Sequence, residues 1–299
     1  MTSHAKYRFT NIIGTFIFDA DFNLIDKGED IKDKYKETIK PEGRALYNIL
    51  KSFNNPEYLK QFYKANIKIT KSAIKESTGK DNLIIQAVNS VEDLKVIANK
   101  LAKRLREWYE LHNPEFSRSI ADHARFAELI TLKSRNELLK KIGISESASM
   151  GSDLEQGDID AILLLAEEIK AIYRTKANLE KYIDTAMTES CPNITALAGS
   201  IIGAKLLEHA GSFKKLMQMP ASTVQLLGAE KALFRHLKTG ARCPKYGIIL
   251  QHQLVAKAKD KAKAARMLAD KIALAAKVDY FKGDFIGDKM RKELGAKIR

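Results

Sequence analysis

Residues 162–186 read Ile162-Leu163-Leu164-Leu165-Ala166-Glu167-Glu168-Ile169-Lys170-Ala171-Ile172-Tyr173-Arg174-Thr175-Lys176-Ala177-Asn178-Leu179-Glu180-Lys181-Tyr182-Ile183-Asp184-Thr185-Ala186. Ile162, Leu165, Ile169, Ile172, Lys176, Leu179, Ile183 and Ala186 recur at alternating spacings of three and four, an a/d heptad seam with Lys176 as its one polar exception. Such a helix requires a partner along its length. Upstream, Val91 to His112 sets Leu94, Ile97, Leu101, Leu105 and Trp108 on one helical stripe before Asn113-Pro114 interrupts it. A second helical stretch, Glu115 to Ile142, ends at Gly143, and the polar connection Ser145 to Gly157 leads to the seam. Ile120, Ala127, Ile130 and Leu138 of that stretch can cover part of it, which predicts a long antiparallel hairpin. An intrachain hairpin and a dimer would bury the seam equally well, so Ile162, Leu165, Ile169, Ile172, Leu179 and Ile183 are candidates for self-association too.

Toward the N-terminus the patterning changes. Asn11 to Phe22 is a β-branched and aromatic run ending in acidic turn residues, read as a strand and tight turn, with a second strand at Phe22 to Asp26. Helical patterns at Gly43–Phe53 and Pro56–Ala65 follow, then alternation over Ala65–Ile69. Residues 1–85 therefore read as a small α/β domain, 86–190 as linker helix and coiled coil, and 191–299 as an all-α domain. Asp19, Asp21, Asp26, Glu29 and Asp30 lack the spacing and terminal Glu of a calcium loop and read as turn and surface residues.

The C-terminal third is set apart by charge. The chain holds 51 Lys+Arg against 37 Asp+Glu; residues 191–299 hold 21 and 8 of these, whereas the first 190 residues are nearly balanced. A localised excess of this size favours a polyanion, nucleic acid before an anionic membrane surface. The basic element is Gly228-Ala229-Glu230-Lys231-Ala232-Leu233-Phe234-Arg235-His236-Leu237-Lys238-Thr239-Gly240. On a helix, Lys231, Arg235 and Lys238 share one face, Ala229, Leu233 and Leu237 the packing face, and Gly240 is the stop. Arg242 and Lys245 continue the charge on a loop, and Gln251 and His252 follow an apolar run. Cations edged by Phe234 suit phosphate contacts with base stacking. His236, nearer the apolar side, reads as structural, and His252 as the better ligand contact. Ser222 with Gln225 predicts a capped helix start, Leu197–His209 a helix, and Ala258, Ala262, Ala265, Ala269, Ile272 and Ala276 a packing face flanked by wet Lys259, Lys263 and Arg266.

Catalytic chemistry finds no support. His4, His112, His123, His209, His236 and His252 show no zinc spacing, and Cys191 and Cys243 are too isolated for a zinc site or a disulfide framework. Gly199–Lys205 lacks the Gly-Lys-Ser/Thr ending of a phosphate loop, and no nucleophile elbow or dinucleotide fingerprint occurs. No apolar run is long enough for a membrane span, and Met1–Thr10 lacks a signal-peptide core. A binding or scaffold protein of the cytoplasm, without cofactor or metal, is expected.

Gly228 to His252, with Met219–Thr223, Pro192–Leu197, Ala275–Phe281, Trp108–His112 and Ser149–Gly151, closely resembles the Nop domain, and the chain looks like the archaeal Nop-family core protein of box C/D ribonucleoproteins. It departs at Asn113, where an aromatic is frequent, and at Gln253, where proline is. The resemblance implies a non-catalytic scaffold for guide-directed 2′-O-methylation of ribosomal or transfer RNA. Its N-terminal domain would hold fibrillarin, which carries the S-adenosylmethionine. Its coiled coil would dimerise, and its Nop domain would bind kink-turn guide RNA together with a ribosomal-like kink-turn protein. Lys231, Phe234, Arg235, Lys238, Arg242, Lys245, Gln251 and His252 are the expected RNA contacts, and Gly228, Ala229 and Glu230 the composite surface with the kink-turn protein. The rivals are a splicing-type Nop protein binding small nuclear RNA and, more remotely, a basic membrane adaptor. Lys297 and Arg299 alone in the basic tail favour the archaeal scaffold, placed in the archaeal cytosol.

Overall fold

The computed structural model describes residues 6–28, 31, 34–35 and 37–298; of the residues weighed above, His4, Glu29, Asp30 and Arg299 lie outside them. Contacts divide the chain into two units, Met1–Gly79 and Lys80–Arg299. In the first, apolar alternation produces an antiparallel meander, β1 (Tyr7–Asn11), β2 (Gly14–Phe18) and β3 (Leu24–Gly28), in that order across the sheet. β2 lies inside the first expected strand, β3 is the second displaced by two residues, and β1 adds to both. Asp19 makes the turn between β2 and β3, its Oδ1 accepting from the amides of Asp21 and Asn23 at 2.9 and 2.8 Å. α1 (Gly43–Ser52) and α2 (Pro56–Ser77) complete the unit. Its core is largely aromatic, with Phe53 edge-on to Phe16 at 4.8 Å and to Tyr58 at 5.1 Å. The alternation at Ala65–Ile69 is not a strand. Asn55 caps α2 by accepting from the Glu57 amide at 2.7 Å, Pro56 suits the first helical position, and nothing in between stops the helix before Thr78.

The second unit begins with α3 (Lys80–Glu110), continues through α4 (Pro114–Ser119), α5 (His123–Leu132) and α6 (Arg135–Lys141), and returns along α7 (Gln156–Ser190). α3 and α7 are antiparallel: Leu105 shares a core with Ile162 and Ile169, whereas Ile84 and Val88 share one with Ile183 and Met187. The single helix expected over Glu115–Ile142 is in fact α4 to α6. Asp122 caps α5 by accepting from Arg125 N, Ser134 and Glu137 form a capping box on α6, and Arg106 donates to the carbonyls of Ser117 (2.6 Å) and Ile120 (2.5 Å) across the first break. Ala127, Ile130 and Leu138 are buried against the tip of the hairpin as expected, but the main partner of the seam is α3. Ile162, Ile169 and Ile183 are therefore filled within one chain, while Leu165, Ile172 and Leu179 keep part of their surface open.

The buried stripe of α3 also differs from the expected one. It runs through Ile84, Val88, Val91, Ala98, Ala102, Leu105 and Tyr109; Leu94 and Leu101 are half-buried, and Ile97 and Trp108 are exposed. Alanines at the contact let the two helices approach closely, so the larger residues fall on the flanks. At the tip the Trp108–His112 and Ser149–Gly151 segments meet. Glu115 accepts from Met150 N (2.7 Å) and Ser149 Oγ (2.9 Å), and Arg135 donates to Gly151 O (2.7 Å) and Asp153 (2.6 Å). A Cβ at Gly151 would stand 2.0 Å from His112 O, so only glycine allows this approach.

α8 (Pro192–Ala198), α9 (Ser200–Ala210), α10 (Phe213–Gln218), α11 (Ala221–Leu226), α12 (Glu230–Thr239), α13 (Gln253–Ala256), α14 (Lys261–Tyr280) and α15 (Gly287–Lys297) complete the unit. The helix expected over Leu197–His209 is split by Gly199 at φ +79°. Ala265, Ala269, Ile272 and Ala276 of α14 are buried, and their core is continuous with Ile84 and Val91 of α3 and Ile183 of α7. The base of the hairpin and the C-terminal helices thus share one interior.

A buried polar pair closes that interior. One Asp279 carboxylate oxygen accepts from Asn193 N (3.1 Å) and Nδ2 (2.7 Å), the other from Ile194 N (2.9 Å), while Asn193 Oδ1 accepts from Ile286 N (2.7 Å). Asn193→Ala removes the side-chain donor to a buried carboxylate and is expected to lower unfolding free energy by about 2–3 kcal/mol, read by urea denaturation. Burial, then the negative charges of Asp279 and Asp81, pushes the neighbouring Cys191 thiol up to about 12. A thiol reagent at pH 8 should therefore modify only the exposed Cys243 in native protein and both cysteines after denaturation.

Candidate nucleic-acid interface

The basic element is positioned by two backbone approaches. Gly247 N donates to Gln225 O at 2.9 Å and Ile248 N to Leu227 O at 2.8 Å. A Cβ at Gly247 would lie 1.9 Å from Leu227 O, and one at Gly228, whose φ is +84°, 2.3 Å from Ile248. Ser222 does not cap α11; Pro220 occupies the cap, and Gln225 Nε2 donates instead to Lys245 O at 2.5 Å. The same segment thereby holds the start of α12 and the basic loop.

Glu230, first residue of α12, accepts from Gly228 N at 2.7 Å and faces His209 Nδ1 at 3.2 Å. Burial alone would raise its carboxyl, but the Gly228 and Glu230 amides and His209 outweigh it, and the net direction is down. Gly228, Ala229 and Glu230 are thus a structured helix entry. From it Lys231, Phe234, Arg235 and Lys238 project into solvent, Phe234 being 61% exposed. The expected packing face is incomplete. Ala229 and Leu233 are half-buried, but Leu237 is 70% exposed, because α12 is covered on one side near its start and no residue of it is buried. Gly240, left-handed at φ +68°, ends the helix, and the His236 ring bonds to Ala241 O, the structural role read for it.

Arg242 and Lys245 meet Lys263 and Arg266 of α14 around a cleft of about 760 Å³ that also takes in Ser222, Gln225 and Asp260. The one carboxylate there is engaged, since Asp260 caps α14 by accepting from Ala262 and Lys263 amides at 3.0 Å. Four cations thus face a cleft lined by a single carboxylate, Asp260, which the Lys263 and Ala262 amides and then the charges of Lys245 and Lys263 hold below its ordinary pKa. Lys263 and Arg266 were legible as an exposed flank at i, i+3, but only the closure of the loop makes them part of the surface. Gln251 is exposed beside Lys205 Nζ (3.4 Å), which Glu92 pairs at 2.7 Å. His252 has a structural use as well as the contact expected of it. Its Nδ1 accepts from Leu254 N at 3.3 Å as the cap of α13, and burial together with Arg291 holds its pKa below the ordinary value. Among the described residues no group of His, Cys, Asp and Glu is arranged to hold a metal, and no helix is long and apolar enough to cross a membrane.

Gly247→Ala should destabilise the protein by about 2–4 kcal/mol in thermal unfolding, since the added methyl meets backbone rather than a mobile side chain.

The chain is similar to known proteins. The chain is 42% identical over 264 residues to an uncharacterized NOP5 family protein of Methanocaldococcus jannaschii, covering 82% of this chain and 64% of the relative. It is 38% identical to nucleolar protein 58 of Botryotinia fuckeliana (73% of this chain, 43% of the relative) and 38% identical to nucleolar protein 56 of Schizosaccharomyces pombe (67% and 45%). It therefore spans between two fifths and two thirds of the length of these relatives. A chain in the crystal structure of a fibrillarin/Nop5p complex superposes with a TM-score of 0.48 at 22% identity, covering 98% of this chain and all of that one. Residues 90–299, which carry most of the hairpin, α12 and the basic cleft, match the Nop family model described as "snoRNA binding domain, fibrillarin", and on that match the chain belongs to the Nop family.

Proposed function

We propose that this chain is the scaffold of a box C/D ribonucleoprotein: it binds kink-turn guide RNA together with a kink-turn protein and positions fibrillarin for guide-directed 2′-O-methylation of ribosomal or transfer RNA. The observation that carries the reading is the cationic surface of the family-matched region, α12 and the Arg242–Arg266 cleft, with no ion pair made by Lys231, Arg235, Lys238, Arg242, Lys245, Lys263 or Arg266 among the described residues. Unpaired cations spread over a helix and a loop meet several phosphates of one folded RNA, and Phe234 adds a stacking surface.

In this reading residues 191–299 take the RNA and the kink-turn protein, the latter at Gly228–Glu230, and the N-terminal unit takes fibrillarin. S-adenosylmethionine belongs to fibrillarin, and this chain contributes no group to methyl transfer. The hairpin holds two copies together through its outer face. Leu165, Ile172 and Leu179 keep part of their surface there, and a cleft of about 890 Å³ between α5 and α7 presents Leu132, Ala171 and Tyr173 among charged residues of both signs such as Arg125, Glu128 and Glu167. The site of action is the archaeal cytosol, in keeping with the archaeal relative.

Arg235→Ala with Lys238→Ala should weaken assembly on a preformed complex of kink-turn RNA and its protein and reduce the magnitude of the salt slope by about two. Circular dichroism should stay the same, since neither side chain is buried, and fibrillarin binding should be untouched. Normal assembly across a salt series would remove α12 from the RNA surface. The isolated chain should transfer no methyl group from S-adenosylmethionine, and should restore transfer when added to fibrillarin, guide RNA and the kink-turn protein. Methyl transfer by the chain alone would overturn the scaffold reading.

A further inference from the structure

The C-terminal end of α14 is closed by Phe281 N to Lys277 O (3.1 Å), Lys282 N to Asp279 O (3.1 Å) and Gly283 N to Val278 O (2.8 Å). This pattern places one residue in the left-handed region. Glycine fills that position after α9 (Gly211, φ +79°) and after α12 (Gly240, φ +68°), but here it is Lys282, at φ +54°, although a glycine follows immediately. A side chain kept where glycine is easier is a reason to ask what it does. Its neighbours are as unusual: Phe281 is 71% exposed and Phe285 55%.

Phe281 is the outer member of a row of rings. It stands edge-on to Tyr280 at 5.3 Å, and Tyr280 edge-on to Phe213 at 5.5 Å. Tyr280 and Phe213 line a cleft of about 290 Å³ with Lys80, Lys214 and Asp81. Asp81 is engaged, accepting from Phe213 N at 2.9 Å. Lys80, Lys214, Lys277 and Lys282 are exposed, and none forms an ion pair among the described residues. Rings open to solvent and bordered by unpaired ammonium groups are the chemistry that holds unpaired nucleotides: bases stack on rings, and phosphates meet the cations.

We propose that the Phe281–Lys282 turn, with Lys277, Lys80 and Lys214, is a second RNA site that takes single-stranded nucleotides by stacking on Phe281. Its residues are other than those of α12 and the Arg242–Arg266 cleft, with which it shares only the helix α14, whose opposite end carries it, and it stands whether or not those bind a kink-turn.

The test is fluorescence anisotropy of the full chain with a labelled oligouridylate of about twelve nucleotides, within the usual range of single-strand sites. Phe281→Ala should weaken binding about tenfold. Phe281→Leu, which keeps an apolar side chain but cannot stack, should also weaken it, and covers a disturbed helix end in the alanine variant. Lys282→Gly has an unusual signature: the melting temperature should rise as left-handed strain is removed, while oligouridylate affinity falls and the salt slope shrinks by about 0.7. Arg235→Ala with Lys238→Ala should leave oligouridylate binding in place, which separates this site from the kink-turn surface. Unchanged affinity in both Phe281→Leu and Lys282→Gly would overturn the proposal. So would loss of binding only in the α12 variant, which would put the strand there. Loss of fibrillarin or kink-turn-protein binding in Phe281→Leu with oligouridylate binding intact would make the turn a protein contact and overturn it as well.

Discussion

The second unit depends on the carboxylate of Asp279. It gathers the amides of Asn193 and Ile194 and the Asn193 side chain, and through Asn193 Oδ1 it fixes Ile286 N. Four helix termini meet there: the exit of α7, the entry of α8, the last turn of α14 and the approach to α15. A buried carboxylate is tolerable only when its lone pairs are met, and here backbone donors at a helix start supply most of them. The pair therefore fixes geometry more than it adds net stability. It sets where α14 ends, which in turn sets the packing of its alanine face on the base of the hairpin.

That alanine face explains what could and could not be read from the chain. The heptad seam of α7 was visible because its large residues recur without interruption, and Ile162, Ile169 and Ile183 are buried as such a seam requires. The matching face of α3 was read one flank away, because Leu94, Ile97 and Trp108 are conspicuous and Ala98 and Ala102 are not. Close helix approach selects small residues, so the true contact was the less apolar-looking one. The break-up of Glu115–Ile142 into α4, α5 and α6 rests on Asp122 and Ser134 as caps and on Arg106, a residue more than ten positions upstream whose donors hold the intervening carbonyls. Caps are local and could have been read; the arginine's reach is a product of the tertiary fold.

The basic surface divides in the same way. The cation face of α12 and its stop at Gly240 follow from helical spacing and glycine's access to left-handed backbone, and both stand as read. The company of Arg242 and Lys245 could not be read, because it depends on the loop folding onto α14, and that folding depends on Gly247 lying against Leu227 O. His252 is the opposite case. A histidine after an apolar run suggests a ligand contact, and only the fold shows that its imidazole also caps the short helix α13.

α12 itself is a helix of ten residues without one buried side chain, held at its entry by Glu230 and Gly228 and at its exit by Gly240. Helices of that length are marginal in water without packing. Its exposed apolar residues, Phe234 and Leu237, sit three apart and on the same side, next to the cations. Contact with a partner over that side would provide the packing that the rest of the chain withholds. A fully buried α12 would be more stable alone but would have no face left to offer, so its weak burial and its charge express one requirement. The fold secures this helix at its ends and along one side near its start, and leaves the rest of its surface to solvent.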